Sequence, residues 1–317
     1  MTPAKPSKFR NKLPRLVYSF KQFEKDFPSD EACLQWLLAY LYPDGIYCHK
    51  CKRATKHHML PSRIKAVACD YCGAHVHPTA GTIFHKSSTS MRTWFHAIYL
   101  MSTTRCGISA MQLMRETGVT YKTAWRLFHQ IRRLLQENVR DLQGQVEADE
   151  TYFGGRKRGR QYSGGRGKQV IHGSVERGGR VVAKVLDSNT TPAILHAVRT
   201  HVLPATMIFT DEALQYNRLG ELGYPHERIN HLAKVYVDGD VHTNTIEGFW
   251  SLLKRGISGV YHSVSAKHLQ KYLDEYAFRY NHRNDPRPMF ENLLRQAWSP
   301  VAVGNQPRNL AEELKPR

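Results

Sequence analysis

A chain of 317 residues in which 46 Lys and Arg face 27 Asp and Glu carries a formal charge of +19. Such a surplus sets it apart from ordinary enzymes of small substrates and favours a polyanionic partner, nucleic acid first. Hydrophobic residues make up 41% of the chain, enough for a core. No apolar run reaches the roughly 18 residues of a membrane span, and residues 1–25 lack the apolar stretch of a secretory leader, so a cytoplasmic protein without membrane partners is expected.

Residues 1–28 read as a basic flexible arm, with Lys5, Lys8, Arg10, Lys12 and Arg15 set among prolines. The next unit, 29–80, opens with an amphipathic helix at 29–41, with Ser29 as its N-cap and Cys33 on its apolar face. Its strongest motif is Cys48-His-Lys-Cys51 followed, after seventeen residues, by Cys69-Asp-Tyr-Cys72. Paired CxxC turns in a chain without a disulfide framework point to a metal. Each turn aims two thiolates at one tetrahedral Zn²⁺, and four thiolates close the site, which makes it structural. A segment so poor in large apolar residues depends on its metal to fold. Lys50, Lys52, Arg53, Lys56, Arg63 and Lys65 around this zinc ribbon suit DNA.

Residues 81–144 turn helical. A helix is predicted at 90–103, a second at 108–115, a turn at Gly118, and a third at 120–135 capped by Thr120. A short helix, a glycine turn and a longer helix make helix-turn-helix grammar, although an ordinary helical hairpin has the same pattern. The last helix carries Lys122, Arg126, His129, Arg132 and Arg133, and Lys122 and Arg126 near its N-terminus are the candidate DNA contacts.

Residues 145–290 form the candidate catalytic unit. Strands are expected at 145–152, 168–176 and 180–187, then a helix at 191–202, a strand at 206–211, further helix, a short strand near 234–237 and a helix at 243–255. That order is mixed α/β and ribonuclease-H-like, with the first and fourth strands adjacent. Asp149 and Asp211 then stand together at strand ends, and Glu247 joins them from a helix. Three such carboxylates suit a pair of divalent cations such as Mg²⁺, whose separation of about 3.5–4 Å needs bridging oxygens. Alternation puts Glu147 on the same face as Asp149, as a second candidate, and Glu150 on the other. Asn244 shares a helix face with Glu247, and either can supply the third ligand; Ser251 and Lys254 continue that face. Lys254 or Arg255 is suited to neutralise a phosphate oxygen, and His242 to orient a water or a phosphate. The glycine-rich loop after Asp149 carries Arg156, Lys157, Arg158 and Arg160, candidates for clamping a DNA backbone. An aromatic amphipathic helix is expected at 272–283 and a tail at 291–317.

These motifs together resemble the IS1595 family of insertion-sequence transposases, the ISXO2-like group. The resemblance runs from about Asp30 to Arg283. It is carried by the CxxC pairs, GTIFHKSS at 81–88, VEADETYFGGR, FTDEALQYN and HTNTIEGFWSLLKRGISGVYHSVSAKHLQKYLDEYAFRYNHR. It implies an N-terminal zinc-binding domain and a DDE catalytic domain that cleaves and joins double-stranded DNA at inverted-repeat ends with Mg²⁺ or Mn²⁺. Asp149 and Asp211 take the two aspartate positions, and Asn244 and Glu247 are both available for the third. It also implies a bacterial, nucleoid-associated protein acting as a homodimer or larger assembly on DNA. A nuclease of the same fold without strand transfer, or a domesticated regulator that binds DNA without cutting it, are the alternatives.

Overall fold

The structure is a computed structural model that describes residues 18–61, 65–104, 106–154, 168–229 and 242–297. Arg63, the loop with Arg156, Lys157, Arg158 and Arg160, the strand expected near 234–237, the arm before Tyr18 and the chain beyond Ala297 lie outside the described residues.

Within the expected arm, Phe20–Asp26 forms helix α1, whose N-cap Ser19 accepts from the Gln22 N–H at 3.2 Å. Its aromatic spacing explains it. Phe23 and Phe27 are buried against Tyr99, Phe95 and Phe290, so this stretch is core despite its lysines. Phe290 belongs to helix α9, Met289–Gln296, which occupies the start of the expected tail and buries Leu293 and Leu294 in the same core. Helix α2, Asp30–Leu41, starts at Ser29, which caps the Ala32 N–H at 3.3 Å.

Two small antiparallel sheets follow. Strand β1, Ile46–Cys48, pairs with β2, Arg53–Thr55. Strand β4, Val67–Cys69, lies between β3, His57–Met59, and β5, His75–Val76. Next come α3, Met91–Thr103, α4, Ala110–Thr117, and α5, Tyr121–Leu134. Gly118 ends α4 in the left-handed region (φ 68°), which a side chain would disfavour, and Thr120 caps α5. Ala124, Leu127, Phe128 and Ile131 give α5 its buried face.

The second half is built on a five-stranded sheet. Its strands are β6, Gln145–Phe153, β7, Gln169–Glu176, β8, Val181–Leu186, β9, Met207–Thr210, and β10, His226–Arg228, in the order β10-β9-β6-β7-β8. The pairs β6–β7 and β7–β8 are antiparallel, whereas β9 lies parallel to both β6 and β10. The first and fourth strands of this unit are therefore neighbours, as the order of elements requires. Two short 3₁₀ turns, Leu214–Tyr216 and Gly220–Leu222, take the place of the helix expected before the fifth strand.

Helix α6, Thr191–His201, covers one face of the sheet, packing Ile194 and Val198 on Val146, Ala148 and Ile208. The other face carries α7, Asn244–Gly256, and α8, Ala266–Asn281, whose Phe249, Trp250, Leu269 and Leu273 meet Ile171 and Val175. Among the described residues no helix is long and apolar enough to cross a membrane.

Helix α8 belongs to both halves. Tyr272 and Phe278 lie in the helical core, and Leu269, Leu273 and Tyr276 in the core under the sheet. The joint is an ion pair. Arg132 of α5 and Glu275 of α8 are both fully buried, with Nη2–Oε2 at 2.6 Å and Nε–Oε2 at 2.8 Å. The guanidinium is stacked between Phe128 and Tyr272, 3.6 and 3.7 Å from their ring centroids. Arg279 adds a second cation to Glu275 at 2.9 Å and donates to the carbonyls of Thr104 and Met101. These cations hold the Glu275 carboxyl below its usual range against the opposing effect of burial. Arg132, read from the sequence as one of the basic residues of a DNA-facing helix, is thus an internal strut. Removing one member of a buried pair strands the other charge, which costs about 3–5 kcal/mol. Arg132→Ala and Glu275→Ala are each expected to lower unfolding free energy by about that amount, measured by urea denaturation.

Candidate active site and metal centres

The CxxC motifs sit at the turns of the two small sheets. Cys48, Cys51, Cys69 and Cys72 present sulfurs all within 4.8 Å of one another; among the described residues they are the one group of three or more such donors this close. Cys48 Sγ lies 3.5 Å from Cys72 Sγ, and Cys51 Sγ 3.9 Å from Cys69 Sγ. The Thr55 hydroxyl at 3.3 Å is the main influence pulling the Cys69 thiol down to about 6. The backbone N–H of Cys51 is the main influence lowering Cys48. Shared hydrogen bonding, first with Cys72, pushes Cys51 up to about 12. The apolar cluster around it consists of Cys48, Cys69 and Ala74, with Cys51 packed against them, too little to hold the hairpins alone.

The second site grows from β6. Its parallel pairing with β9 ends at Glu147 opposite Phe209. Two residues past that last pair stand Asp149 on β6 and Asp211 just beyond β9, near enough for the Asp211 charge to raise the Asp149 carboxyl. Strand β6 continues to Phe153 along β7, so Asp149 lies just beyond the β9 pairing and not at the end of its own strand. Asp211, the first residue after β9, accepts the Ala213 N–H at 3.0 Å and so closes a tight turn.

Alternation along β6 separates the roles of its acids. Glu147 is completely buried and caps α7, accepting from the Thr245 and Ile246 N–H groups at 2.7 and 3.0 Å and from the Thr245 hydroxyl at 2.8 Å. Arg177 donates to it at 2.8 Å, and His242 lies 3.1 Å away. Its acceptor capacity is spent on the fold. Glu150, on the opposite face, is held by the Tyr216 hydroxyl and by His172 Nδ1 at 3.1 Å; His172 Nε2 reaches Ser174 at 3.1 Å. Asp149 has a different neighbourhood. Burial first, then the charges of Glu150 and Asp211, push its carboxyl up to about 7, against the lowering effect of a hydrogen bond from Trp250 Nε1 at 2.9 Å.

Helix α7 brings the remaining groups. A cleft of about 700 Å³ is lined by Asp149, Glu150, Thr151, Asp211, Thr243, Glu247, Trp250, Ser251, Lys254 and Arg255. The cleft therefore gathers Asp149, Asp211, Glu247 and Lys254, called from sequence. Glu247 is exposed and accepts from Thr243 Oγ1 at 3.0 Å. Asn244 is exposed at the first residue of α7 and is not among the cleft residues. The donors are hard oxygens of the kind divalent cations take, one of them on a carboxyl raised by burial and by its acidic neighbours, beside a basic rim of Lys254 and Arg255. Trp250 was missed by the sequence reading. Its place one turn beyond Glu247 was visible, but its partner Asp149 is 101 residues away.

The candidate DNA contacts on α5 divide. Lys122 is exposed in the first turn, beside exposed Tyr121 and Trp125. Arg126 is exposed as well, yet its Nη2 donates to Thr89 Oγ1 at 2.7 Å and Ser87 Oγ at 3.2 Å, tying α5 to the segment before α3.

Residues 141–281 match the ISXO2-like transposase domain. The sequence is 28% identical over 279 residues to an uncharacterized protein in transposable element ISH50 of Halobacterium salinarum, covering 80% of this chain and 92% of that one. An uncharacterized transposase-like protein of Haemophilus influenzae is 26% identical over 102 residues, covering 32% of this chain and 81% of the relative. A chain from a simian T-cell lymphotropic virus intasome in complex with PP2A regulatory subunit B56 gamma aligns with 59% of this chain and 72% of its own length, at 18% identity and a TM-score of 0.29. The unit around the carboxylate cleft is thus a transposase domain. The chain carries an ISXO2-like transposase domain over residues 141–281.

Two outcomes are expected. Chelation or Cys48→Ser should expose residues 46–76 to limited proteolysis while the sheet domain resists. Metal-free protein should lose thermal stability as pH rises from about 4 to about 7, because the folded state keeps the Asp149 proton after the unfolded chain has released its own. Asp149→Asn should flatten that window in a thermal-melt series, and Mg²⁺ should restore the wild-type loss.

Proposed function

We propose that the chain is a DNA transposase that cleaves and joins strands at the ends of an insertion sequence, using a ribonuclease-H-like DDE domain at 145–290. The observation that carries this reading is the meeting of Asp149, Asp211 and Glu247 with Lys254 and Arg255 in one cleft. The sheet order, with three antiparallel strands and the fourth parallel to the first, supports the fold assignment.

Asp149, Asp211 and Glu247 would hold two Mg²⁺ or Mn²⁺ ions, which when bound activate a water or a 3′-hydroxyl and offset charge on the phosphate. Glu247 is preferred to Asn244 as the third ligand because it lines the cleft. Lys254 and Arg255 neutralise the scissile phosphate, and Ser251 offers it a hydroxyl. Trp250 and the strand backbone form a rigid wall that holds the phosphodiester in line, so that most of the protein's contribution is positioning and charge.

The cysteine cluster is read as a zinc ribbon. The α4–α5 pair, with Lys122 and Arg126, is read as the element that recognises the terminal repeats on double-stranded DNA. The Arg156, Lys157, Arg158 and Arg160 loop is read as a backbone clamp. Holding two ends at once calls for a homodimer or larger assembly. Asp149→Ala and Asp211→Ala are each expected to abolish Mg²⁺-dependent cleavage and joining of end-bearing DNA while leaving its binding nearly unchanged in a mobility-shift assay. Retained cleavage in either folded variant would overturn the assignment. Cleavage without joining by the wild-type chain would instead support a nuclease.

A further inference from the structure

We propose that Trp250 is a positioning residue of the cleft, one that fixes the orientation of the Asp149 carboxylate through its indole N–H. The inference rests on the reading of Asp149 as a metal ligand and adds a partner that sets how that ligand is presented.

Trp250 is 4% exposed, and a buried indole N–H needs an acceptor. The acceptor here is Asp149 Oδ2 at 2.9 Å, a charge-assisted bond once the carboxyl ionises. The bond fixes one oxygen and so sets the direction of the other. The indole has a prepared seat. Gly173 pairs directly with Asp149 across β6 and β7, and a Cβ on Gly173 would come within 2.6 Å of Trp250 Cζ2 and Cη2 and 2.9 Å of Ile246 Cδ1. The Gly173 backbone is not in the left-handed region, so conformation does not call for glycine there; the space taken by the ring does. A purely packing aromatic at 250 would need the seat but not the hydrogen bond. A group that orients a ligand typically changes metal affinity by about 10–100-fold when lost.

The test uses the full-length protein and Mn²⁺ alone, followed by electron paramagnetic resonance, with thermal melting as the fold control. Trp250→Phe keeps the ring in its seat and removes the N–H. Its expected effect is a rise of about tenfold or more in the Mn²⁺ dissociation constant with a melting temperature close to wild type. Gly173→Ala, which forces the ring from its seat, should weaken Mn²⁺ in the same direction. A folded Trp250→Phe protein that binds Mn²⁺ as the wild type does would overturn the inference and leave the proposed function standing. If the wild-type chain binds no Mn²⁺, the metal reading and the inference fall together. Should both variants fail to fold, the indole proton of Trp250 in the wild-type protein decides. Mg²⁺ should shift its resonance and slow its exchange with solvent, and a resonance indifferent to Mg²⁺ would overturn the inference.

Discussion

The site depends on the buried carboxylate of Glu147. Two backbone N–H groups at the start of α7 donate to it, with the Thr245 hydroxyl and Arg177 completing its shell. A charge taken this far from water is tolerable only when its lone pairs are filled, and a helix N-terminus is a favourable place for an anion. The consequence is geometric. Glu147 fixes one point of α7 against β6, and Trp250 on Asp149 fixes a second. Two residues of strand span about 6.7 Å, and the five residues from Thr245 to Trp250 span about 7.5 Å of helix. The spacings match, so both anchors can be met at once. That match brings Glu247 and Lys254, on the exposed face of α7, to the cleft that holds Asp149 and Asp211.

The helical half is tied to this frame by α8, whose Tyr272 and Phe278 enter the helical core, and by the Arg132–Glu275 pair at the joint. Stacking between Phe128 and Tyr272 shields the guanidinium, and Arg279 carries the connection on to the carbonyls at the end of α3. Such a pair adds little net stability over an apolar replacement, but it accepts few alternative partners. It therefore sets one orientation of α5 against the sheet domain, and with it the direction in which exposed Lys122 faces.

Patterning within single elements made much of this legible in the sequence. Strand alternation separated Glu147 and Asp149 from Glu150, CxxC spacing marked the cysteine cluster, and Ser29 and Thr120 marked helix starts. Partnership across the chain was not legible. Nothing near Glu147 tells that its acceptors are filled by residues almost a hundred positions away, and nothing near Arg132 tells that it is paired with Glu275 and not facing solvent. The helix at Phe20–Asp26 was hidden for a related reason: its lysines suggest a solvated arm, and its phenylalanines matter only because Tyr99 and Phe290 are there to meet them. The short fifth strand, His226–Arg228, exists through its pairing with β9 and has no strong pattern of its own.

The electrostatics of the cleft follow from the same separation of roles. The five acids of β6, the end of β9 and α7 are not equivalent, because the fold has already engaged two of them in hydrogen bonds. Glu147 is spent on α7, and Glu150 is held by Tyr216 and His172 on the far side of the strand. Asp149 lines the cleft, and burial first, then the charges of Glu150 and Asp211, raise its carboxyl. A positively charged chain that keeps an acidic floor beneath a Lys254–Arg255 rim would repel the phosphate it attracts unless something positive lies between the two. Under the proposed function, cations at that floor would reconcile the acidic cleft with the net charge of the chain.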